Sequence, residues 1–141
     1  MNVRRAEFRD TKEISDLMTQ LGYDATSSLL DRKLTEFSKS PIDSVFVAEI
    51  SGTIVGCISC HITSLFHQEG SAGRITSLVI ATEKRGMGVG KLLVSEAEAF
   101  FHLHGCVKSE VTSGNHRPEA HAFYKSCGYK QDERRFLKLY S

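Results

Sequence analysis

Residues 75–93 read ITSLVIATEKRGMGVGKLL, an apolar β-type run that stops at a charged turn and continues as a helix. Gly86, Gly88 and Gly90 stand at alternate positions and leave the neighbouring backbone N–H groups unshielded by side chains. A helix that begins near Gly88 also leaves its first N–H donors without internal acceptors, at the positive end of its macrodipole. The stretch therefore predicts a strand, a glycine loop and a helix that together bind an anionic group such as a phosphate.

The spacing of this stretch excludes two common phosphate loops. The dinucleotide pattern GxGxxG requires a glycine where Lys91 stands, and the P-loop requires Ser or Thr where Leu92 stands. Arg85-x-x-Gly88-x-Gly90 instead resembles the R/Q-x-x-G-x-G/A signature of the GNAT superfamily of acyl-CoA-dependent N-acetyltransferases. A glycine turn before a helix is common, so the apolar strand before it and the amphipathic helix after it add to the resemblance.

A second motif lies near the end of the chain. Residues 120–129, AHAFYKSCGY, are similar to the family's A-x-x-x-Y-x-x-x-G-[FY] element. Together the two motifs imply an α/β (α+β) fold that forms one domain over residues 1–141. In that fold a central mixed, mostly antiparallel sheet of about six to seven strands is flanked by about four helices.

The residue pattern predicts elements in the order β-α-α-β-β-β-α-β-α-β. Strands are expected over 3–7, 44–50, 53–62, 74–80, 108–112 and 134–140. Helices are expected after Asp10, after Thr26, from Gly88 to Gly105 and from Pro118 to Gly128. Asp10 and Glu13 have the spacing of a capping box. The side chains expected to point inward from the third helix are Val89, Leu93, Ala97, Phe100 and Leu103.

The resemblance implies an acetyl-CoA-dependent N-acetyltransferase in which a primary amine attacks the thioester directly. On that basis the strand lies beside pantetheine and the loop binds the pyrophosphate of acetyl-CoA, the co-substrate. The cofactor-binding residues implied are Leu78, Val79, Ile80, Arg85, Gly86, Met87, Gly88, Val89, Gly90, Lys91 and Asn115. Many relatives carry an asparagine before the tyrosine helix, and Asn115 and Arg117 are both open as its counterpart.

The same resemblance implies that Tyr124 donates a proton to the departing thiolate; from the residues alone, a core tyrosine on an apolar stripe is the alternative. The amine must also lose a proton before it attacks, because an alkylammonium has no lone pair at neutral pH. Relatives often carry a glutamate for this purpose on the strand before the loop, where this chain has Thr76 and Ser77. The substitutes left open are His61, His67, Glu69 and a water chain to solvent.

The composition is typical of one globular domain, with 141 residues of which 40% are hydrophobic and 25% charged. A formal net charge of +1 argues against a nucleic-acid partner. The chain has no apolar run near the roughly 18 residues that a membrane span needs, and its N-terminus lacks the apolar core of a signal peptide. We therefore expect a cytoplasmic protein without a membrane partner.

The cysteines and histidines do not have metal-binding spacing. Cys57 and Cys60 lie three residues apart in a predicted strand, so their side chains point to opposite faces and cannot share a metal. His102 and His104 lie two apart in a predicted helix and diverge in the same way. We expect no metal site, and we expect the cysteines to be reduced and buried.

Two other functions remain open at this stage. The strand before the loop has no carboxylate, which favours a catalytically weak acyl-CoA-binding sensor or regulatory module. A phosphate site for another nucleotide is the third reading. If the chain is an enzyme, its acceptor is a small-molecule or peptide amine whose identity the sequence does not define. Dimers are common among similar proteins, so a homodimer is also left open.

Overall fold

The computed structural model describes residues 1–111, 118–132 and 134–141. Its strands are β1 (Asn2–Arg5), β2 (Asp43–Ile50), β3 (Thr53–Ser64), β4 (Ser71–Ile80) and β5 (Cys106–Val111). They form one sheet in the order β1-β2-β3-β4-β5, antiparallel as far as β4 and parallel between β4 and β5. The mixed, mostly antiparallel sheet is confirmed, with five strands in the described ranges rather than six to seven.

The helices of the described ranges are α1 (Thr11–Gln20), α2 (Ser27–Ser38), α3 (Val89–Leu103) and α4 (Pro118–Ser126). Strand β3 shows how they are layered. A Cβ built on Gly56 would lie 3.0 Å from Leu93 of α3, whereas Cys57, Ser59 and His61 line a cavity together with residues of α1 and α2. Because neighbouring side chains on a strand point to opposite faces, α3 covers one face of the sheet and α1 and α2 cover the other.

The predicted hairpin of β2 and β3 is confirmed, and its turn has positive φ at both Ser51 (51°) and Gly52 (80°). Strand β4 begins earlier than predicted, at Ser71 instead of residue 74, and therefore includes Gly73. A Cβ on Gly73 would lie 2.3 Å from the ring of Phe101. This glycine therefore allows α3 to approach the sheet closely and does not form a turn.

The capping box predicted for Asp10 and Glu13 does not form. The Arg4 guanidinium donates to both oxygens of Asp10 at 2.7 and 2.9 Å, and the Glu7 N–H donates to the same carboxylate at 2.7 Å. Glu13 accepts from the Ile54 N–H at 2.9 Å. Burial would raise the pKa of Asp10, but the bonds from Arg4 and Glu7 outweigh it and lower that pKa. Both carboxylates thus connect the start of α1 to the sheet.

Two further predictions are wrong: the inward direction of Leu103 and the strand over 134–140. Leu103 is 82% exposed, whereas Phe101 is 1% exposed, because 101 falls on the side of α3 that Leu93 and Ala97 turn toward the sheet. The strand predicted over 134–140 does not form, and Phe136 in it is fully exposed. Alternation shows which side chains would share a face, but a strand also needs a neighbouring strand to accept and donate its hydrogen bonds.

Candidate functional site

A cleft of about 810 Å³ opens where the sheet, the loop before α3 and helix α4 meet. One side is the second half of β4, residues 75–80, and the end is formed by the loop and the first turn of α3. The opposite side is α4, and Tyr23 from the segment after α1 also lines the cleft. The structure thus brings both sequence motifs to one cavity.

Along this cleft, one side of β4 has no paired strand among the described residues. In the part of the chain that the structure describes, the pairing of β4 with β5 runs from Ser71 opposite Cys106 to Ile75 opposite Val111. Beyond Ile75, β4 continues to Ile80 with β3 as its partner in that part. The backbone of 76–80 can therefore pair with an extended molecule that lies in the cleft.

The three loop glycines serve two different purposes. Gly86 (φ 82°) and Gly88 (φ 83°) are left-handed, and a Cβ built on either meets nothing within 4 Å. They shape the loop and leave open space around its amides. Gly90 has no such conformation, and a Cβ there would lie 2.9 Å from the ring of Phe123. Gly90 is therefore needed for the contact between α3 and α4.

The start of α3 is an anion-binding arrangement. The Leu92 N–H donates to the Gly88 carbonyl at 3.1 Å, and the three amides before it lie where an α-helix has no internal acceptor. Lys84, Arg85 and Lys91 line the same end of the cleft. Helix amides and cationic side chains at one place favour a phosphate group over a neutral ligand.

Tyr124 is half-buried in the α4 side of the cleft. Its ring packs edge-on against Phe123 at 5.2 Å and Tyr129 at 6.1 Å between centroids. Burial raises the pKa of Tyr124 to about 12, so the phenol keeps its proton at neutral pH. Its hydroxyl has no hydrogen-bond partner among the described residues, whereas the Tyr129 hydroxyl donates to Glu98 at 2.9 Å. Tyr124 can therefore donate its proton to a group in the cleft.

A chain of polar side chains lies on the opposite side, at β4. Asp43 Oδ1 contacts His61 Nδ1 at 2.7 Å, and His61 Nε2 contacts Thr76 Oγ1 at 2.8 Å. Ser59 Oγ lies 2.7 Å from Thr76 Oγ1 and 2.6 Å from Ser77 Oγ, so it connects the two hydroxyls. We refer to these five residues as the polar chain. The sequence analysis named His61 as one open substitute for the missing glutamate and Thr76 and Ser77 as the residues in its place, but it did not identify Asp43 or Ser59.

The family whose sequence model matches this chain is the acetyltransferase (GNAT) family, over residues 11–129. The chain belongs to this family. It is 35% identical over 88 residues to the aminoalkylphosphonate N-acetyltransferase of Salmonella typhimurium, and the match spans 62% of this chain and 57% of that protein. The family resemblance seen in the sequence is confirmed.

Solved structures show the same GNAT fold. The glucosamine-6-phosphate N-acetyltransferase of Arabidopsis thaliana superposes with a TM-score of 0.84 at 26% identity, covering 99% of this chain and 98% of that one. A putative acetyltransferase from Agrobacterium tumefaciens reaches 0.87 at 24% identity, covering 99% of this chain and 100% of that one. The two N-terminal helices and the mixed sheet are therefore features of the fold as a whole.

The structure places most of the predicted site residues of this GNAT domain on the cleft. Met87 is an exception, because its side chain is 55% exposed and does not line the cavity. Asn115 and Arg117 lie outside the described residues, so the choice between them is still a prediction. The predicted residues that line the cleft are Leu78, Val79, Ile80, Arg85, Gly86, Gly88, Val89, Gly90, Lys91 and Tyr124.

Cys57 and Cys60 are buried and unpaired, and burial raises the pKa of each thiol to about 12. They are therefore packed as small apolar side chains, as expected, whereas Cys106 and Cys127 are unpaired but only partly buried. Within the described ranges, no three His, Cys, Asp or Glu side chains are grouped closely enough to hold a metal ion. No helix of those ranges has the length and apolar character to cross a membrane.

Proposed function

We propose that this chain is an acetyl-CoA-dependent N-acetyltransferase that transfers an acetyl group to a primary amine by direct attack on the thioester. The observation that carries the proposal is the continuity of the cleft. One cavity of about 810 Å³ joins the cationic start of α3, the free side of β4 and the Tyr124 side chain. A ligand with a diphosphate at one end and a reacting thioester at the other matches that order of groups.

The residues present fit this co-substrate. The amides from Gly86 to Lys91 would bind the diphosphate, helped by the charges of Lys84 and Arg85, and the left-handed Gly86 and Gly88 leave space for its oxygens. The backbone of Leu78, Val79 and Ile80 would pair with the pantetheine arm as an added strand would. Val79 is 3% exposed, so its contribution would come from the main chain. Asn115 stays a proposed contact.

The chain's own groups then have distinct tasks. Acetyl-CoA, when bound, supplies a thioester carbon that an amine can attack and a thiolate that departs. A backbone N–H of residues 78–80 would donate to the carbonyl oxygen as negative charge grows on it. The Tyr124 hydroxyl would give its proton to the sulfur, and the second proton that the nitrogen loses after attack would restore the phenol. No covalent intermediate on Cys127 is required.

The names of two relatives suggest acceptors for a first assay. The Salmonella typhimurium relative is an aminoalkylphosphonate N-acetyltransferase, and the Arabidopsis thaliana structure is a glucosamine-6-phosphate N-acetyltransferase. Both names describe an amine that carries a phosphorus oxyanion. We propose 2-aminoethylphosphonate and glucosamine 6-phosphate as test acceptors, with ethanolamine and glucosamine as matched amines without the anionic group. The predicted cytoplasmic location belongs to the same proposal.

The test measures thiol release when the protein is mixed with acetyl-CoA and each amine, with mass spectrometry of the acetylated product. We expect thiol and acetylamine to form in equal amounts. Thermal shifts with acetyl-CoA, ATP and NAD form the binding control. A shift with acetyl-CoA but no product across a broad amine panel would favour the sensor reading. A shift with ATP alone would overturn the proposed co-substrate.

A further inference from the structure

A second cavity, of about 210 Å³, lies between α1, α2 and the sheet. Ser59 and His61 line this cavity, and Thr76 and Ser77 line both it and the larger cleft. The hydroxyl groups of β4 are therefore the boundary between the two cavities. A proton that leaves the large cleft at this point can reach His61 without crossing apolar core.

An irregularity in β4 makes this boundary. In the β3–β4 register Ser59 is opposite Ser77 and Cys60 is opposite Ile75, so Thr76 is an extra residue. In a regular strand, consecutive side chains point to opposite faces. Here Ser59 Oγ lies within hydrogen-bond distance of both the Thr76 and the Ser77 hydroxyls, so the two neighbours point to the same side. The bulge thus connects His61 to the cleft.

Asp43, at one end of the polar chain, decides which group donates and which accepts in each of its hydrogen bonds. Burial would raise the pKa of Asp43, but hydrogen bonds from His61 and Ser40 outweigh it and lower that pKa. An ionised carboxylate only accepts, so His61 Nδ1 carries the proton and a neutral ring accepts at Nε2. Thr76 then donates to His61, Ser59 donates to Thr76 and Ser77 donates to Ser59. An oxygen lone pair of Ser77 is left to accept from the cleft.

We propose that the polar chain removes the proton from the acceptor ammonium in the N-acetyltransferase reaction, with His61 as the final acceptor and Asp43 as its positioning residue. This inference rests on the proposed function. It also supplies the base that the missing strand glutamate leaves unassigned.

The proton balance is simple. The acceptor N–H bond breaks and Ser77 Oγ takes that proton, while each hydroxyl passes its own proton along, to Ser59, to Thr76 and to His61 Nε2. The electron pair left on nitrogen is the nucleophile. His61 becomes an imidazolium beside the Asp43 carboxylate, and its side chain is 25% exposed, so it can return the proton to water.

Charged and aromatic groups surround the His61 ring. Lys33 of α2 lines the same small cavity, and Arg74 stands opposite His61 in the β3–β4 register. Asp43 is the anion in contact with the ring, and the ring of Phe37 packs edge-on against it at 5.4 Å between centroids. Asp43 stabilises the imidazolium as it forms.

The test compares His61→Gln and Ser59→Ala with His102→Gln, which changes an exposed histidine of α3. The assay is thiol release with 2-aminoethylphosphonate and with glucosamine 6-phosphate, as a function of pH. We expect kcat at pH 7 to fall by about 10²- to 10⁴-fold in the first two variants and to be unchanged in the control. Above a pH of about 10 the free amine no longer needs a base, so the variants should approach the wild-type rate.

Two further measurements separate this inference from the proposed function. The acetyl-CoA thermal shift should be the same in all variants, since the polar chain does not bind the diphosphate. In ¹⁵N-labelled wild-type protein at pH 8, the His61 spectrum should show a protonated Nδ1 and an unprotonated Nε2. The opposite tautomer, or equal pH profiles for wild type and His61→Gln, would overturn the relay and leave the acetyltransferase standing. Absence of thiol release from the wild type with every amine would overturn both.

Discussion

The hydroxyl groups on the two sides of the cleft differ in whether they keep a proton or pass it on. On α4, the Tyr124 hydroxyl sits among aromatic rings, and burial raises its pKa to about 12. On β4, the Thr76 and Ser77 hydroxyls belong to a chain that ends at a partly exposed histidine and its carboxylate. A polar group that is isolated and buried keeps its proton, whereas a connected series passes one on. Acyl transfer from a thioester to an ammonium needs both: a group that holds a proton for the departing thiolate, and a series of groups that removes a proton from the ammonium.

The largest expected effect comes from removing the isolated hydroxyl. Tyr124→Phe keeps the ring and its packing but cannot protonate the sulfur, so kcat should fall by about 10²- to 10⁴-fold. Acetyl-CoA affinity, measured by calorimetry, should stay within about twofold, because the hydroxyl binds no other group of the described residues. The pKa of Tyr124 is raised, so the wild type should not lose rate between pH 7 and 10 through this group.

Tyr129→Phe is the matched control for that variant. It removes the hydrogen bond to Glu98 from a neighbouring ring 6.1 Å away. We expect the free energy of unfolding to fall by about 1.5–3 kcal/mol and kcat to change little. If both variants lowered kcat equally, packing of the aromatic cluster and not proton donation would explain the loss. Unchanged turnover in Tyr124→Phe would remove this residue from the mechanism.

The next largest effect is expected from a change at Asp43, on the β4 side of the cleft. Asp43→Asn keeps the shape of the side chain but removes the charge that stabilises the imidazolium. A hydrogen bond to a charged group contributes about 1.5–3 kcal/mol, which corresponds to a roughly 10- to 100-fold lower kcat at pH 7. Asp31→Asn, on the exposed surface of α2, is the control. KM for the amine should change little in either variant.

The pH dependence separates Asp43 from His61. The lowered pKa of Asp43 keeps its carboxylate charged below the range of a free aspartate. A loss of kcat/KM as pH falls from neutrality therefore does not arise from protonation of Asp43, and comparison with His61→Gln shows whether it depends on His61. If Asp43→Asn behaved as the wild type across that range, the carboxylate would have only a structural role.

The two sides also differ in how far the sequence predicted them. The α4 side and the loop follow from local patterns, because glycine spacing and a helical stripe depend on residues close in the chain. The polar chain depends on register. Extending the Ile50–Thr53 pairing would set Asp43 opposite Cys60, but a bulge beside Ala48 shifts the strand by one residue and brings His61 there. A local pattern does not show where such a bulge falls.

The wrong predictions have the same origin. Asp10 and Glu13 have capping-box spacing, yet distant partners on β1 and β3 take both carboxylates. Gly73 falls just outside the strand predicted over 74–80, yet it lies in β4 against the ring of Phe101. The strand pattern of 134–140 has no described neighbour to pair with. In each case a contact between residues far apart in the chain, or the lack of one, decides the outcome.

The smallest effect is expected at the contact between α3 and α4, which sets the distance between Tyr124 and β4 across the cleft. Gly90→Ala adds a methyl group 2.9 Å from the Phe123 ring, so Phe123 of α4 must shift. Alanine also favours the helix by about 1 kcal/mol over glycine, which offsets much of the packing cost of about 1–3 kcal/mol. We therefore expect a small change in melting temperature and a several-fold fall in kcat, since Tyr124 moves with α4.

Gly86→Ala separates that movement from a general defect of the loop. Gly86 is left-handed but has open space around it, so alanine there strains the backbone without touching α4. Strain of about 1–2 kcal/mol should weaken acetyl-CoA binding in a thermal-shift titration while kcat at saturation is retained. Gly90→Ala should show the reverse, a lower kcat with nearly normal binding. If both variants lost only binding, the distance between Tyr124 and β4 would not limit the reaction.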